Sequence, residues 1–174
     1  MTTYNTPQET GGDRSDEQTL HILLSRLSDP DKGVRAEAMH GLVAIGEPAI
    51  SPCIALLRDD DWRVRYRAAE ALGLIGDGEV YAPLIAALGD ERDHVRYMAA
   101  KGLGLLGDPR AVEHLRSVQQ DENEFVRRSV ATSLGKLGGA DALRALRSAL
   151  EGEANEGVRE VIIAALRDAG EEEI

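Results

Sequence analysis

Apolar positions in this chain follow a helical period, and the same pattern recurs five times. Residues 62–76 read WRVRYRAAEALGLIG, in which a Val-Arg pair is followed by small residues, a leucine and a closing glycine. Such self-similarity is typical of stacked-repeat proteins, in which each unit buries its apolar face against its neighbours. The copies are anchored on valines that lie 30 to 32 residues apart, namely Val34, Val64, Val95, Val126 and Val158.

Each copy predicts a pair of helices joined by a short polar loop. Before the first Val-Arg segment, leucines 20, 23, 24 and 27 recur at intervals of three and four residues, the spacing of one helix face. An Asp or Asn that precedes most Val-Arg segments supplies an N-cap, and the glycine after each segment favours a left-handed helix end. The predicted fold is therefore all-α, with five helical hairpins over residues 16–45, 48–75, 78–106, 109–137 and 140–169.

The two ends of the chain lack this pattern. Residues 1–15 are polar and show no helical period, so they are predicted to be a disordered N-terminal tail. The repeat solenoid is predicted to fill residues 16–170, and residues 171–174 form an acidic tail that acts as a solubilising cap. The last helix carries Ile162 and Ile163 with no following unit to cover it, so the oligomeric state stays open.

Composition narrows the classes of function. Apolar residues make up 43% of the chain but aromatic residues only 3%, which suits helices packed through alanine and leucine. The net charge of −11 disfavours binding to nucleic acids or anionic membranes, since both require excess positive charge. Cys53 is the only cysteine, which excludes an internal disulfide and a cysteine-based zinc site. Because the sequence shows no signal peptide and no long apolar run, the expected location is the cytoplasm.

The order of features in each unit resembles a known repeat. An acidic residue, a polar loop, Val-Arg, small residues, leucine and a closing glycine together resemble the short HEAT-like repeat of the phycobilisome-lyase type, over residues 16–170. The resemblance implies a right-handed α-α superhelix, with the first helices on the convex side and the Val-Arg helices on the concave side. Repeats of this type serve in scaffolds, adaptors, bilin lyases and one hydroxylase family.

No catalytic or metal-binding set is predicted. The hydroxylase relatives bind iron through His-Glu pairs just after Val-Arg, whereas the second and third copies here read Tyr66-Arg67 and Tyr97-Met98, and no copy has His-Glu. No two of the four histidines have the i, i+4 spacing that lets a helix share a metal between them. Neither a nucleophilic triad nor a phosphate-binding loop is recognisable. We therefore expect a protein that is not an enzyme and that has no cofactor.

An acidic residue and an arginine recur six residues apart in every unit. We predict that each carboxylate pairs with the guanidinium of its own unit, forming a structural ladder that fixes the loop between them. A row of anion-binding sites is the functional alternative, but residues repeated in every unit are what stacking demands. The predicted pairs are Asp29–Arg35, Asp59–Arg65, Asp90–Arg96, Asp121–Arg127 and Glu153–Arg159.

The positions that vary between copies indicate a binding surface. On the second, third and fourth Val-Arg helices, these positions carry four of the six aromatic residues of the chain and more positive than negative side chains. Aromatic, arginine and methionine side chains are enriched at protein interfaces. The alternative is that these side chains cover gaps between helices. The predicted partner-binding residues are Trp62, Arg63, Tyr66, Arg67, His94, Tyr97, Met98, Lys101, Phe125 and Arg128.

Three functions fit this surface. The first is a non-enzymatic scaffold or adaptor that binds another protein or peptide, expected to be acidic with a few apolar anchors, in the concave face. The second, which the repeat family suggests, is a tetrapyrrole- or bilin-binding accessory protein in which arginines hold the propionates while Trp62, Tyr66 and Tyr97 stack on the rings. The third is a nucleic-acid binder, which the net charge of −11 disfavours.

Overall fold

The computed structural model describes the backbone of residues 11–170 and the side chains from Ser15 onward. Within this part of the chain there are ten α-helices, a single 3-10 turn at Gly78–Val80, and no strand. The helices are α1 (Gly11–Arg26), α2 (Lys32–Ile45), α3 (Glu47–Leu56), α4 (Trp62–Ile75), α5 (Tyr81–Ala87), α6 (Asp93–Leu106), α7 (Ala111–Ser117), α8 (Glu124–Leu137), α9 (Gly139–Gly152) and α10 (Glu156–Asp168).

These helices form a right-handed α-α solenoid of five hairpins, which confirms the predicted fold class. The start of the first helix differs from the prediction, because α1 begins at Gly11 rather than near Asp16. Apolar periodicity locates only the beginning of the apolar stripe, and residues 11–15 carry no apolar side chain to mark an earlier start. The remainder of the predicted disordered tail, residues 1–10, and the acidic tail at 171–174 lie outside the described residues.

Local sequence determines both ends of the Val-Arg helices. Four of the five begin at an Asp or Asn whose side-chain oxygen accepts a backbone N–H of the first turn, as the spacing predicts. The exception is α6, where Arg92 lies at the N-cap position and Asp93 instead accepts the N–H of His94 at 2.7 Å. At the other end, Gly76 and Gly107 have φ values of 72° and 71°, a left-handed conformation that glycine adopts without a steric cost.

The Val-Arg helices form the inner layer of the solenoid. Neighbouring Val-Arg helices contact each other along much more of their length than the first helices of the hairpins do. Small residues make this close approach possible, since a Cβ atom added at Gly73 of α4 would lie only 2.6 Å from the Cα of Gly102 of α6. The same position is glycine in α6 and α8, where Gly104 faces Ser133 and Gly135 faces Ala165. Because the stack is tightest on this side, the inner layer is the concave one.

A ladder of ion pairs links successive hairpins, but it differs from the predicted one. Arg65 Nε and Nη2 donate to the two carboxylate oxygens of Asp90, in the next hairpin, at 2.7 and 2.9 Å. Within its own hairpin, Arg65 Nη1 donates to the backbone carbonyl of Asp59 at 2.8 Å. The predicted pairing of each carboxylate with the arginine of its own unit is therefore wrong. The described pairs are Arg65–Asp90, Arg96–Asp121 and Arg127–Glu153.

The physical reason is the direction in which each carboxylate is held. Asp90 accepts the backbone N–H of Arg92, two residues ahead, at 2.9 Å, and this bond fixes the carboxylate while its two oxygens meet Arg65 of the preceding hairpin. Burial by itself raises the pKa of the Asp90 carboxyl, but the bonds from Arg65 and from the Arg92 amide outweigh it, so the pKa lies below its ordinary value. At Glu153 the hydrogen bond from Arg127 is the main cause of a lowered pKa.

Candidate partner-binding groove

A groove of about 650 Å³ crosses the N-terminal ends of α2, α4 and α6 on the inner layer. One wall is the loop between α1 and α2, and the other walls are the first turns of α4 and α6. The loop side contributes Leu27, Ser28, Asp29, Pro30 and Arg35, and the helices contribute Asp61, Trp62, Arg63, Tyr66, Arg67 and His94.

A second, smaller pocket of about 320 Å³ continues this groove toward α8. Tyr66 and His94 line both cavities, so the two form one surface that reaches from the first to the fourth hairpin. The remaining lining residues of the smaller pocket are Asp93, Tyr97, Asn123 and Phe125. We call the combined surface the aromatic groove.

Aromatic rings and guanidinium groups line this groove. The rings of Trp62 and His94, from adjacent hairpins, lie 4.8 Å apart between centroids. The Arg63 guanidinium lies 5.0 Å from the Trp62 ring, and the side chain of Arg63 is 65% exposed. Phe125 is also 58% exposed, which is unusual for a large apolar side chain. The groove therefore presents ring faces together with a solvent-accessible cation.

Polar contacts orient the other groups of the groove. Arg67 lies 5.0 Å from the Tyr66 ring centroid and donates to Glu70 at 2.6 Å, so its charge is already paired within α4. Burial, and to a lesser extent the nearby Glu70 carboxylate, raises the pKa of the Tyr66 phenol. Tyr66 is therefore a neutral hydrogen-bond donor at physiological pH.

The structure brings seven of the ten predicted residues together and leaves three outside the groove. Lys101 is exposed on α6 but does not line either cavity, and Arg128 is half-buried between Phe125 and the start of α10. Met98 is only 2% exposed, so its prediction as a surface residue is wrong. An inner helix has a neighbour on both flanks, and the equivalent residue of α8, Ser129, is likewise buried, with its hydroxyl donating to the Tyr97 carbonyl of the preceding helix at 2.9 Å. The seven residues within the groove are Trp62, Arg63, Tyr66, Arg67, His94, Tyr97 and Phe125.

Sequence reasoning missed the loop wall of the groove, although the repeat contains a signal for it. At the position of Gly73 in the second copy, the first copy has Val43. Val43 is half-buried against the core, and α2 contacts α4 over a shorter stretch than α4 contacts α6. This departure from the glycine pattern coincides with the looser contact between the first and second hairpins, although Val43 lies in the last turn of α2 and the groove lies at its N-terminal end.

A second row of polar bonds links successive hairpins further along the stack. The side-chain amide of Asn123 donates to Asp93 of the preceding hairpin, and that of Asn155 donates to Glu124 in the same way at 2.6 Å. In the second hairpin the acidic position of this row is occupied by Trp62. The row is therefore interrupted where the groove opens, and an aromatic ring lies there instead.

The described residues offer no alternative site of the metal or membrane type. Within residues 15–170, no three His, Cys, Asp or Glu side chains cluster in the way that a metal site requires. None of the helices in the described part of the chain combines the length and the apolar character needed to cross a membrane.

Helical hairpins, an inner layer of Val-Arg helices and an inter-hairpin ladder define this chain as an α-solenoid repeat protein. The HEAT repeats family model matches residues 20–95, 50–118 and 81–167. The chain therefore belongs to the HEAT repeat family, as the sequence pattern predicts. No curated protein sequence matches the chain.

Solved structures with similar folds include natural and designed solenoids. The complex of CpcE and CpcF of phycocyanin lyase from Nostoc matches with a TM-score of 0.78 and 24% identity, over 86% of this chain and 98% of that one. Human deoxyhypusine hydroxylase matches with a TM-score of 0.60 and 25% identity, over 92% of this chain and 66% of that one. A designed armadillo repeat protein in complex with the peptide (KR)4 has a TM-score of 0.56 and 19% identity, over 95% and 96% of the two chains.

Proposed function

We propose that this chain is a non-enzymatic interaction module that binds a partner protein in the aromatic groove. The observation that carries the proposal is the grouping of Trp62, Tyr66, Tyr97 and Phe125 on one continuous concave surface. These rings come from three hairpins of a chain in which aromatic residues make up only 3%. Phe125 is exposed, whereas Trp62, Tyr66 and Tyr97 are half-buried against the core and also line the groove. Aromatic side chains grouped along a surface groove are typical of binding surfaces.

The geometry of the groove indicates the chemistry of the partner. Ring faces favour apolar anchor side chains, because burying each anchor removes both apolar surfaces from water. Arg63 is the exposed cation; its contact with Asp61 is long, at 3.5 Å and open to solvent, and a carboxylate of the partner provides a further matching charge. A peptide or helix with apolar anchors and acidic neighbours has both features.

Related folds support binding as the role of this architecture. The designed armadillo protein carries a peptide, and CpcE and CpcF form a complex with each other. Solenoids present long concave surfaces whose specificity resides in the side chains that vary between repeats. The aromatic groove of this chain consists largely of such variable positions.

A tetrapyrrole is the second candidate ligand, for a different reason. The phycocyanin lyase structure matches at a TM-score of 0.78, and a groove of about 650 Å³ lies within the common size range of small-molecule sites, about 300–1,000 Å³. Purified protein that absorbs visible light, or that gains such absorbance with bilin or haem, would favour this candidate. Colourless protein whose Trp62 fluorescence is unchanged by either compound would eliminate it.

The decisive experiment compares an aromatic–arginine pair inside the groove with one outside it. Tyr66→Ala/Arg67→Ala removes a pair from the aromatic groove. Tyr81→Ala/Arg110→Ala removes a pair from the outer layer, which the first helices of the hairpins form; there the Arg110 guanidinium lies 4.6 Å from the Tyr81 ring. We expect a partner recovered from native cell extract by the wild type to be lost with the first variant and kept with the second. Circular dichroism would test whether both variants are folded.

Equal recovery by all three proteins would contradict the proposal and would direct attention to the outer layer. Loss of recovery with both variants, while both remain folded, would also count against the aromatic groove as the specific site. The matched pair therefore separates the location of binding from a general effect of removing a ring and a charge.

A further inference from the structure

The guanidinium of each Val-Arg arginine has two edges that donate hydrogen bonds. In the second, third and fourth hairpins, Nη1 donates to loop carbonyls of the same hairpin, at 2.8, 2.9 and 2.8 Å from the nearest one. The other edge, Nε with Nη2, forms a two-pronged bond with a carboxylate of the following hairpin. The ladder thus occupies both edges of Arg65, Arg96 and Arg127.

Arg35, in the first hairpin, keeps only one of these two edges occupied. Its Nη1 donates to the carbonyls of Asp29 and Pro30 at 2.6 and 2.8 Å, as in the other hairpins. Its Nε and Nη2 have no partner among residues 15–170. Asp59 corresponds to Asp90 of the ladder, yet its carboxylate accepts only the N–H of Asp61, at 2.8 Å, from within this part of the chain.

The open edge of Arg35 lies where the first and second hairpins are in looser contact. Helices α2 and α4 contact each other less extensively than α4 and α6 do, no bond joins Arg35 to Asp59 within the described residues, and Arg35 instead lines the aromatic groove. Arg35 is half-buried, and its Nη1 bonds hold the guanidinium plane in place. A fixed planar fork that opens into a cavity matches the geometry of a carboxylate.

We propose that the open edge of Arg35 binds an Asp or Glu side chain of the partner, which takes the place that the carboxylate of the next hairpin takes elsewhere in the ladder. This inference rests on the proposed function and specifies which group of the partner the groove recognises. The partner's acidic side chain would lie beside an apolar anchor on Trp62, because both residues line the same cavity.

Charge around the fork favours a carboxylate over a more highly charged anion. Asp29 and Asp61 also line the cavity, and they would repel a dianionic phosphate more strongly than a single carboxylate. The net charge of −11 adds to this selection. The recognised group therefore carries one negative charge in a planar, two-oxygen arrangement.

The test uses two synthetic peptides and the whole chain labelled with nitrogen-15. One peptide alternates leucine and aspartate over five residues and is acetylated and amidated, and the other has asparagine in place of aspartate. The Nε–H signal of Arg35, assigned by its disappearance in Arg35→Lys, reports on the fork, while the indole N–H of Trp62 reports on occupation of the groove. Arg96→Lys is the matched control, because Arg96 makes the same loop bonds but its fork is filled by Asp121.

We expect the aspartate peptide to shift both signals and to bind about tenfold more weakly to Arg35→Lys, the effect of losing one charge-assisted pair. Arg96→Lys should bind as the wild type does. If both peptides shift Trp62 equally and neither shifts Arg35, the carboxylate site is wrong although the groove still binds peptides. If neither peptide shifts Trp62, the groove itself fails as a peptide site, and the inference fails with it.

Discussion

Replacing Asp121 by alanine should destabilise the chain far more than the same replacement at Asp59. The carboxylate of Asp121 accepts Arg96 Nε and Nη2 at 2.7 and 2.9 Å and the N–H of Asn123 at 2.9 Å. The Arg96 and Asp121 side chains are only 12% and 7% exposed, so their removal from solvent is nearly complete. Loss of one partner of such a pair costs about 3–5 kcal/mol, because the remaining charge stays buried without compensation.

Asp59→Ala is the matched control at the equivalent position of the repeat. Its carboxylate accepts one backbone N–H from the described residues, so its loss should cost about 0.5–1.5 kcal/mol. Urea unfolding followed by far-ultraviolet circular dichroism measures both free energies of unfolding. Moderate salt should change the difference little, because the Arg96–Asp121 pair is shielded from solvent. Equal losses for the two variants would refute the described ladder and, with it, the open edge of Arg35.

Three further predictions follow from the packing and the ladder. The pKa of Glu153 in the folded state is lowered from its ordinary 4.5. Its ion pair therefore stabilises the fold fully above pH 4.5, and this stabilisation is lost as the pH falls through the folded-state pKa. The difference in unfolding free energy between wild type and Glu153→Gln should shrink between neutral pH and about pH 3. Gly73→Ala should lower the free energy of unfolding by about 1–3 kcal/mol, because the new Cβ would lie 2.6 Å from the Cα of Gly102. Gly152 has open space around it, so Gly152→Ala should leave that free energy unchanged or slightly raised in the same urea assay. Burial raises the pKa of the Cys53 thiol to about 11, so a thiol reagent should modify it only as fast as the protein unfolds; rapid modification of the folded protein would contradict its buried position.

Periodicity was enough to predict the solenoid, because the same helical stripe and closing glycine recur in each unit. The early start of α1 at Gly11 could not be predicted from it, since a polar segment carries no apolar stripe. The partner of each ladder arginine could not be predicted either. A spacing of six residues within a unit suggests a local pair, whereas Arg65 meets Asp90 across 25 residues through stacking.

The candidate site was only partly predictable. Exposed positions on the Val-Arg helices identified most rings of the groove, but the two-sided packing of the inner layer buries Met98. The loop wall around Arg35 accompanies a looser contact between α2 and α4, and its one mark in the sequence is Val43 where later copies have glycine. Which polar groups then meet across the two hairpins depends on the spacing of whole helices, which the hydrophobic pattern does not specify.

The affinity of the recovered partner for Trp62→Ala tests the central claim most directly. Trp62 lines the groove where the polar row between hairpins is interrupted, and its ring lies tilted against that of His94. Loss of a central aromatic anchor costs at least about 2 kcal/mol, so calorimetry should show binding about 30-fold weaker or more. Tyr81→Ala, on the outer layer, should bind within about twofold of the wild type. Wild-type affinity for Trp62→Ala would contradict the aromatic groove as the binding surface.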